Sequence, residues 1–243
     1  MNLVLFEESE LGGNLPKRDE RAIHLVKVLR KKAGDEFDAG VLDAGIGKGR
    51  IDEIRADGSL RVSVDLRAPP PPRLPIRMAV GLARPIQMRR LLRDLSSLGV
   101  QAIDFVGMDL GEKSYRDTKL FEDGGARAAL LEGAAQSRDV TIPALRIFDS
   151  LDSWLRERPA ESGNALLVAA DNARPSGSVS LAQGGKSGAV LAVGPERGWS
   201  DRERALLESA GFPLLSMGSR ALRVETACVA LVALTLEKIG ALC

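Results

Sequence analysis

Val193-Gly-Pro-Glu-Arg-Gly198-Trp-Ser200, followed by Met217-Gly-Ser-Arg-Ala-Leu-Arg223-Val-Glu225-Thr226, is the stretch on which the reading of this chain turns. A run of small apolar residues, Ala189-Val-Leu-Ala-Val193, stops at Gly194-Pro195, and a helix then starts at Ser200. A second glycine-bearing turn sits at Gly218. Two tight turns at adjacent strand ends are how an open α/β sheet builds a ligand crevice. A ligand held mostly by main chain needs glycine where the backbone approaches it and proline to stiffen the turn, which Gly194-Pro195-Glu196 and Gly198 offer. Either turn alone reads as an ordinary connection; together they point to a site.

Outward from these turns the chain alternates strands and helices. Strands are expected at Met78–Leu82, Ala102–Val106, Leu145–Phe148, Ala165–Ala170, Ala189–Val193 and Leu214–Met217. Met88, Leu91, Leu92, Leu95 and Leu98 recur at helical spacing, with Gly99 as the stop. Ser200 and Glu203 form a capping box, and Gly211 ends that helix. Such alternation predicts an α/β fold, a parallel sheet with helices on both faces. The last helix, from Val224 to Ile239, is apolar nearly all round and must be covered, with a partner subunit as one candidate.

Ala68-Pro-Pro-Pro-Pro-Arg-Leu-Pro75 marks the clearest boundary, because so many prolines exclude a helix or a central strand. Before it, strand-like segments at Glu36–Leu42, Gly49–Ile54 and Leu60–Leu66 predict a small β-barrel. A helix capped by Asp19 precedes them, with Ile23, Val26 and Leu29, and also Leu25 and Val28, marking apolar faces. The expected domains are therefore residues 1–70 and 76–243.

At 243 residues, with 28% charged and 44% hydrophobic residues, the chain reads as ordinary globular protein. Its net charge of +1 gives no overall nucleic-acid signal, so any basic surface is local. Two cysteines, Cys228 and Cys243, make no disulfide framework and suit a reducing compartment. The acidic N-terminus (Glu7, Glu8, Glu10) does not resemble a signal peptide, and the apolar run Ala227–Leu234 is too short to span a bilayer. A cytoplasmic protein without membrane contact is expected. Gly184-Gly-Lys-Ser187 superficially resembles a phosphate loop, but Ser180 stands where the first glycine belongs. Gly45, Gly47 and Gly49 miss the dinucleotide fingerprint because Arg50 takes the third glycine's place. With His24 the only histidine, no metal site is expected.

The quoted motifs, with Met217 through Ala227 about twenty residues after the first, resemble those of the RsmE-type 16S ribosomal RNA uridine-N3 methyltransferases of the SPOUT superfamily. The resemblance runs along the whole chain: His24-Leu-Val-Lys-Val-Leu-Arg30 with Gly34-Asp35-Glu36, Leu98-Gly-Val100, and Glu132-Gly-Ala-Ala-Gln-Ser-Arg138 all match family segments. It implies an N-terminal PUA-like, RNA-gripping barrel and a C-terminal α/β domain with a deep trefoil knot. It also implies S-adenosylmethionine held by three loops: Ala169-Ala170, Gly194-Pro195-Glu196, and Met217-Gly218 through Leu222-Arg223. A homodimer and a substrate of 16S ribosomal RNA or the assembled small subunit follow from the same resemblance. Three departures stand out. Arg197 replaces a usual glycine, Ser97 a usual glutamate before Leu-Gly-Val, and Val224 the first threonine of Arg-Thr-Glu-Thr.

For the chemistry, N3 of uridine must lose its proton, and positioning and electrostatics supply most of the catalysis. Arg223 has two readings, stabilising negative charge on a uracil carbonyl or anchoring a phosphate. Glu225 has three: orienting Arg223, accepting the proton through water, or serving as a helix-start acid. RNA contacts are expected at His24, Lys27, Arg30, Lys31, Arg138 and Arg197, against plain packing, capping or solvation at the same positions. Arg84, Arg89, Arg90 and Arg93 decorate one helix and its start as further candidates. Trp199 reads as base-stacking or core. The rival functions are methylation of another ribosomal RNA nucleotide and a non-catalytic RNA-binding assembly factor.

Overall fold

The computed structural model describes residues 2–158, 164–178 and 186–241. Ser180, Gly184 and Gly185 of the rejected phosphate-loop segment, and Cys243, lie outside them. The chain divides into two compact units, Met1–Pro72 with Leu131–Ile142, and Arg73–Leu130 with Pro143–Cys243. The break falls inside the proline run. Residues 131–142, which lie within the stretch expected to form the second domain, are part of the first unit.

In the first unit β1 (Val4–Phe6) and β2 (Asn14–Leu15) precede α1 (Glu20–Ile23), and β3 (Glu36–Val41), β4 (Gly45–Ile54) and β5 (Leu60–Ala68) follow. They form a curled five-stranded sheet in the order β1-β3-β4-β5-β2. Its core is Phe6, Leu15, Leu25, Phe37, Val41, Ile51 and Leu60 with their neighbours. The 131–142 segment closes one side: Leu3 N donates to Ala135 O and Asp43 N to Val140 O, over a cluster of Leu3, Leu5, Ala134, Ala135 and Val140. Gly45, Gly47 and Gly49 are strand residues of β4.

The helix at Asp19 departs from expectation. Asp19 does cap it, accepting from Arg21 N at 2.8 Å, but after one turn it widens into a π-turn, His24–Val28, in which Leu29 N donates to His24 O. The extra residue in that turn shifts the side-chain phase. Ala22 and Leu25 are buried, whereas Ile23, Val26, Val28 and Leu29 are exposed, Val28 by 63%.

The second unit is built from β6 (Leu74–Gly81), α2 (Pro85–Ser97), β7 (Val100–Val106), α3 (Lys119–Glu122), α4 (Gly125–Ser137, whose residues from Leu131 belong to the first unit), β8 (Ala144–Phe148), α5 (Leu151–Glu157), β9 (Ala165–Ala170), β10 (Gly177–Ser178), β11 (Gly188–Val193), α6 (Asp201–Ser209), β12 (Leu214–Ser216) and α7 (Val224–Lys238). Among the described residues the strands make one parallel seven-stranded sheet, ordered β10-β12-β9-β11-β6-β7-β8. Its central strand β11 is buried at every residue, as a parallel strand covered on both faces must be.

Pro75 lies inside β6, which pairs on both sides, although the proline run was expected to exclude a central strand. It falls where the β6–β7 register shifts, between Leu74 and Arg77, so the missing N–H breaks no regular ladder. Deeper in the sheet, fully buried Asp104 accepts from Arg77 on β6, Arg146 on β8 and the Trp154 indole on α5. A buried carboxylate is tolerable only with such partners, and this one ties three strands and a helix together. Helix α7 packs on α2, β6 and β11, burying Val224, Ala227, Cys228, Leu231, Val232, Thr235 and Leu236.

Candidate functional site

The register aligns the ends of three neighbouring strands. Val193 of β11 pairs with Ala170 of β9, and Ala170 pairs in turn with Leu215 of β12. The chain leaves each strand at the same edge of the sheet, where the carboxyl ends of parallel strands collect ligands. The loops that follow enclose a cleft of about 250 Å³. Its wall includes Ala170–Ala173, Val193–Trp199, Met217, Ala221, Leu222, Val224 and Ala227.

The first of these turns is held from several sides. Gly198 N donates to Pro195 O at 2.8 Å, closing a tight turn over Glu196 and Arg197, and Gly198 takes φ +73°, which suits glycine. A Cβ on Gly81 at the end of β6 would stand 2.5 Å from Pro195 N, so only glycine lets the turn rest on that strand. Trp199 is 2% exposed and donates from Nε1 to Ala170 O at 2.8 Å, pinning the turn to the end of β9. Its indole is therefore structural, not a stacking surface. Ser200 and Glu203 form the expected capping box, and buried Glu203 also accepts from Asp109 N at 2.9 Å.

The other two loops are tied to each other. Asn172 Nδ2 donates to Arg220 O at 2.8 Å, and Gly218 N donates to Ser216 Oγ. Sequence reasoning missed a buried pair on the cleft wall. Asp171, just past β9, accepts from Arg204 Nε at 2.5 Å and from Ala173 N at 2.7 Å. Burial alone would raise the Asp171 pKa; the Arg204 guanidinium and the Ala173 and Arg174 amides outweigh it and hold the carboxyl below the usual carboxylate value. No spacing rule links two residues 33 apart, one after a strand and one inside a helix.

Of the residues expected to hold a cofactor, Ala170, Gly194, Pro195, Glu196, Gly198, Met217 and Leu222 all line this cleft. Ala169 is buried in β9, and Gly218, at φ +123°, follows Met217 on the exposed surface. Arg223 instead lines a neighbouring polar groove of about 690 Å³, which shares Glu196, Arg197, Ala221, Leu222 and Val224 with the cleft. It precedes α7 with an exposed side chain. Glu225 lies in the first turn of α7, half-buried, with Oε2 sheltered and without a hydrogen-bond partner among the described residues. No hydrogen bond or ion pair joins it to Arg223 in this structure.

The remaining expected contacts are in the first unit, apart from exposed Arg197 on the Pro195–Gly198 turn. Lys27 and Arg30 are exposed, Lys31 and His24 are half-buried, and His24 Nε2 has no partner among the described residues. Arg138, at φ +62°, is engaged by Asp38 at 2.9 Å, which Lys48 also contacts. Among the described residues no group of three or more His, Cys, Asp or Glu is placed to hold a metal ion, and no helix is long and apolar enough to cross a membrane.

Comparison with known proteins agrees with this architecture. The family model described as an RNA methyltransferase domain matches residues 70–236. A ribosomal RNA small subunit methyltransferase E from Treponema pallidum is 34% identical over 246 residues, covering 97% of this chain and 91% of the relative. Ribosomal RNA small subunit methyltransferase E 1 of Borreliella burgdorferi is 29% identical, covering 98% and 99%. Among solved structures, the ribosomal RNA small subunit methyltransferase E of Neisseria gonorrhoeae, bound to S-adenosyl methionine, superposes with a TM-score of 0.78 at 19% identity over 98% of each chain. A methyltransferase of Legionella pneumophila in complex with the same cofactor gives 0.77 at 22% identity, over 98% and 97%. These two show the fold; the match to the family model and the Treponema relative show the lineage. The chain belongs to the ribosomal RNA small subunit methyltransferase E family of RNA methyltransferases.

Proposed function

We propose that this protein binds S-adenosylmethionine in the three-loop cleft and methylates N3 of a uridine in 16S ribosomal RNA. The observation that carries the reading is the convergence of the Ala170, Gly194–Gly198 and Met217–Leu222 loops on one cleft. The residues present fit such a cofactor. Small and apolar side chains leave room along the walls, and the close Gly81–Pro195 approach holds the Gly194–Gly198 turn in place. Two carboxylates, Asp171 and Glu196, are balanced on the cleft lining by Arg197 and Arg204, so shape rather than net charge makes the fit. When bound, S-adenosylmethionine supplies an electrophilic methyl group activated by the adjacent sulfonium.

Arg223 is the cation we assign to the negative charge that develops on a uracil carbonyl as N3 loses its proton. Its guanidinium has no partner among the described residues and lines the groove beside the cleft, so it is available for that charge. Glu225 is the group we assign to receive the N3 proton. It lines neither cavity in this structure, and its Oε2 is an acceptor without a donor among the described residues, so the substrate must open a path to it. The same reading takes the curled sheet as a PUA-like RNA-binding unit with His24, Lys27, Arg30, Lys31 and Arg138 on its basic surface. It places a trefoil knot of the SPOUT type at the cleft, and makes the protein a cytoplasmic homodimer. The test is methyl transfer to small ribosomal subunits, followed by mass spectrometry of the nucleosides. We expect 3-methyluridine; a methyl group on another base or on ribose would sink the substrate assignment, and absence of cofactor binding by calorimetry would sink the reading entirely.

A further inference from the structure

The polar groove next to the cofactor cleft carries the chain's single tyrosine, Tyr115, which lies outside the motifs quoted above. Tyr115 ends a short 3₁₀ turn, Lys113–Tyr115, closed by its own N–H donating to Glu112 O at 3.1 Å. The next residue, Arg116, is ion-paired with Asp149, which fastens the turn to the end of β8. Tyr115 itself is only half-buried, and its hydroxyl makes no hydrogen bond among the described residues. The other aromatic side chains are engaged: both tryptophans are buried, and the phenylalanines are buried or, like Phe121, packed against a buried one.

Around Tyr115 the groove presents Arg84, Arg197 and Arg223, none of them paired with a described residue. Glu112 and Glu196 share the lining, so cations outnumber anions. An accessible aromatic face flanked by unpaired guanidinium groups matches the needs of unpaired RNA. A base stacks on the ring while the flanking phosphates meet Arg84 and Arg197, leaving Arg223 for the uracil carbonyl. The groove shares Glu196, Arg197, Ala221, Leu222 and Val224 with the cleft, so a base held here lies next to the methyl donor's site.

We infer that the groove lined by Tyr115, Arg84, Arg197 and Arg223 seats a single-stranded stretch of the substrate RNA, with Tyr115 as the stacking platform for the target base. This rests on the methyltransferase reading above, and the experiment separates the two. Wild type, Tyr115→Ala, Tyr115→Leu and Tyr115→Phe are compared for methyl transfer to small ribosomal subunits. S-adenosylmethionine binding is followed by calorimetry, and binding of a fluorescent uridine-containing oligonucleotide by anisotropy.

Loss of stacking on one base predicts a rise of roughly ten- to a hundredfold in KM for the Ala and Leu variants, with a matching loss of oligonucleotide affinity. The Phe variant, which keeps the ring, should stay within about twofold of wild type, and all four should bind S-adenosylmethionine alike. Arg84→Ala should lower the salt slope of oligonucleotide binding by about one. An unchanged KM in both the Ala and Leu variants overturns the inference, as does a Phe variant as impaired as Ala. If wild type fails to bind S-adenosylmethionine, the methyltransferase reading falls, and the oligonucleotide titrations alone decide the groove: weakened binding in Ala and Leu supports it, and equal binding overturns it.

Discussion

The three-loop cleft and the polar groove share a wall, yet they are built in opposite ways. On the cleft wall, apart from Glu196 and Arg197 that it shares with the groove, the polar side chains are satisfied from within: Asp171 by Arg204, the Trp199 indole by Ala170 O, and Asn172 by Arg220 O. In the groove Arg84, Arg197, Arg223 and Tyr115 point at no partner among the described residues. A buried polar group without a partner is expensive, so satisfied groups mark scaffold. Exposed groups left unpaired are satisfied by water and stay free to exchange it for an outside ligand. On the readings above, the cleft would hold its ligand by form, and the groove by charge and stacking.

The comparison breaks most visibly at Arg223. Arg223→Ala should lower the methyl-transfer rate by about a hundred- to a thousandfold, the range for losing one group that stabilises developing charge. Its melting temperature and S-adenosylmethionine affinity should match wild type; a rate within threefold would move Arg223 from catalysis to phosphate anchoring. Arg204→Met is the converse. It leaves Asp171 unpaired on the cleft wall and should cost about 3 kcal/mol of stability by denaturant unfolding, the low end for breaking a buried pair.

Gly81→Ala puts a methyl against the Pro195 main chain and should cost about 2 kcal/mol, with weakened cofactor binding. Stability unchanged by that variant would show that the turn gives way freely. The smallest effect is with pH. Folding lowers the Asp171 pKa, so the group contributes stability above its unfolded value of about 4, and that share is lost as pH falls through the folded value. Asp171→Asn should therefore flatten the acid limb of a melting-temperature profile below about pH 4 and leave its slope near neutrality alone.

Much of the cleft was legible before any coordinates. Gly194-Pro195 after an apolar run, the Ser200–Glu203 box and the α2 periodicity are local patterns, and local patterns encode strands, turns and caps. What escaped was long-range or subtle in phase. The Asp171–Arg204 pair joins residues 33 apart, and the Glu203 bond to Asp109 N spans 94. Val4–Phe6 and Asn14–Leu15 are too short to announce themselves as strands. Ile23, Val26 and Leu29 share an apolar period, but Ala22 and Leu25 take the buried face, and the π-turn after Ile23 breaks the helical phase.

By itself the sequence determined where strands end and which glycines stand there, since φ preference and apolar runs act over a few residues. It also carried the family, through the order of motifs along the chain. Tertiary structure alone decided that Trp199 is a strut, that residues 131–142 belong with the first unit, and that Tyr115 shares a groove with three arginines. Those outcomes depend on which distant surfaces bury one another, and burial is a property of the whole packed chain.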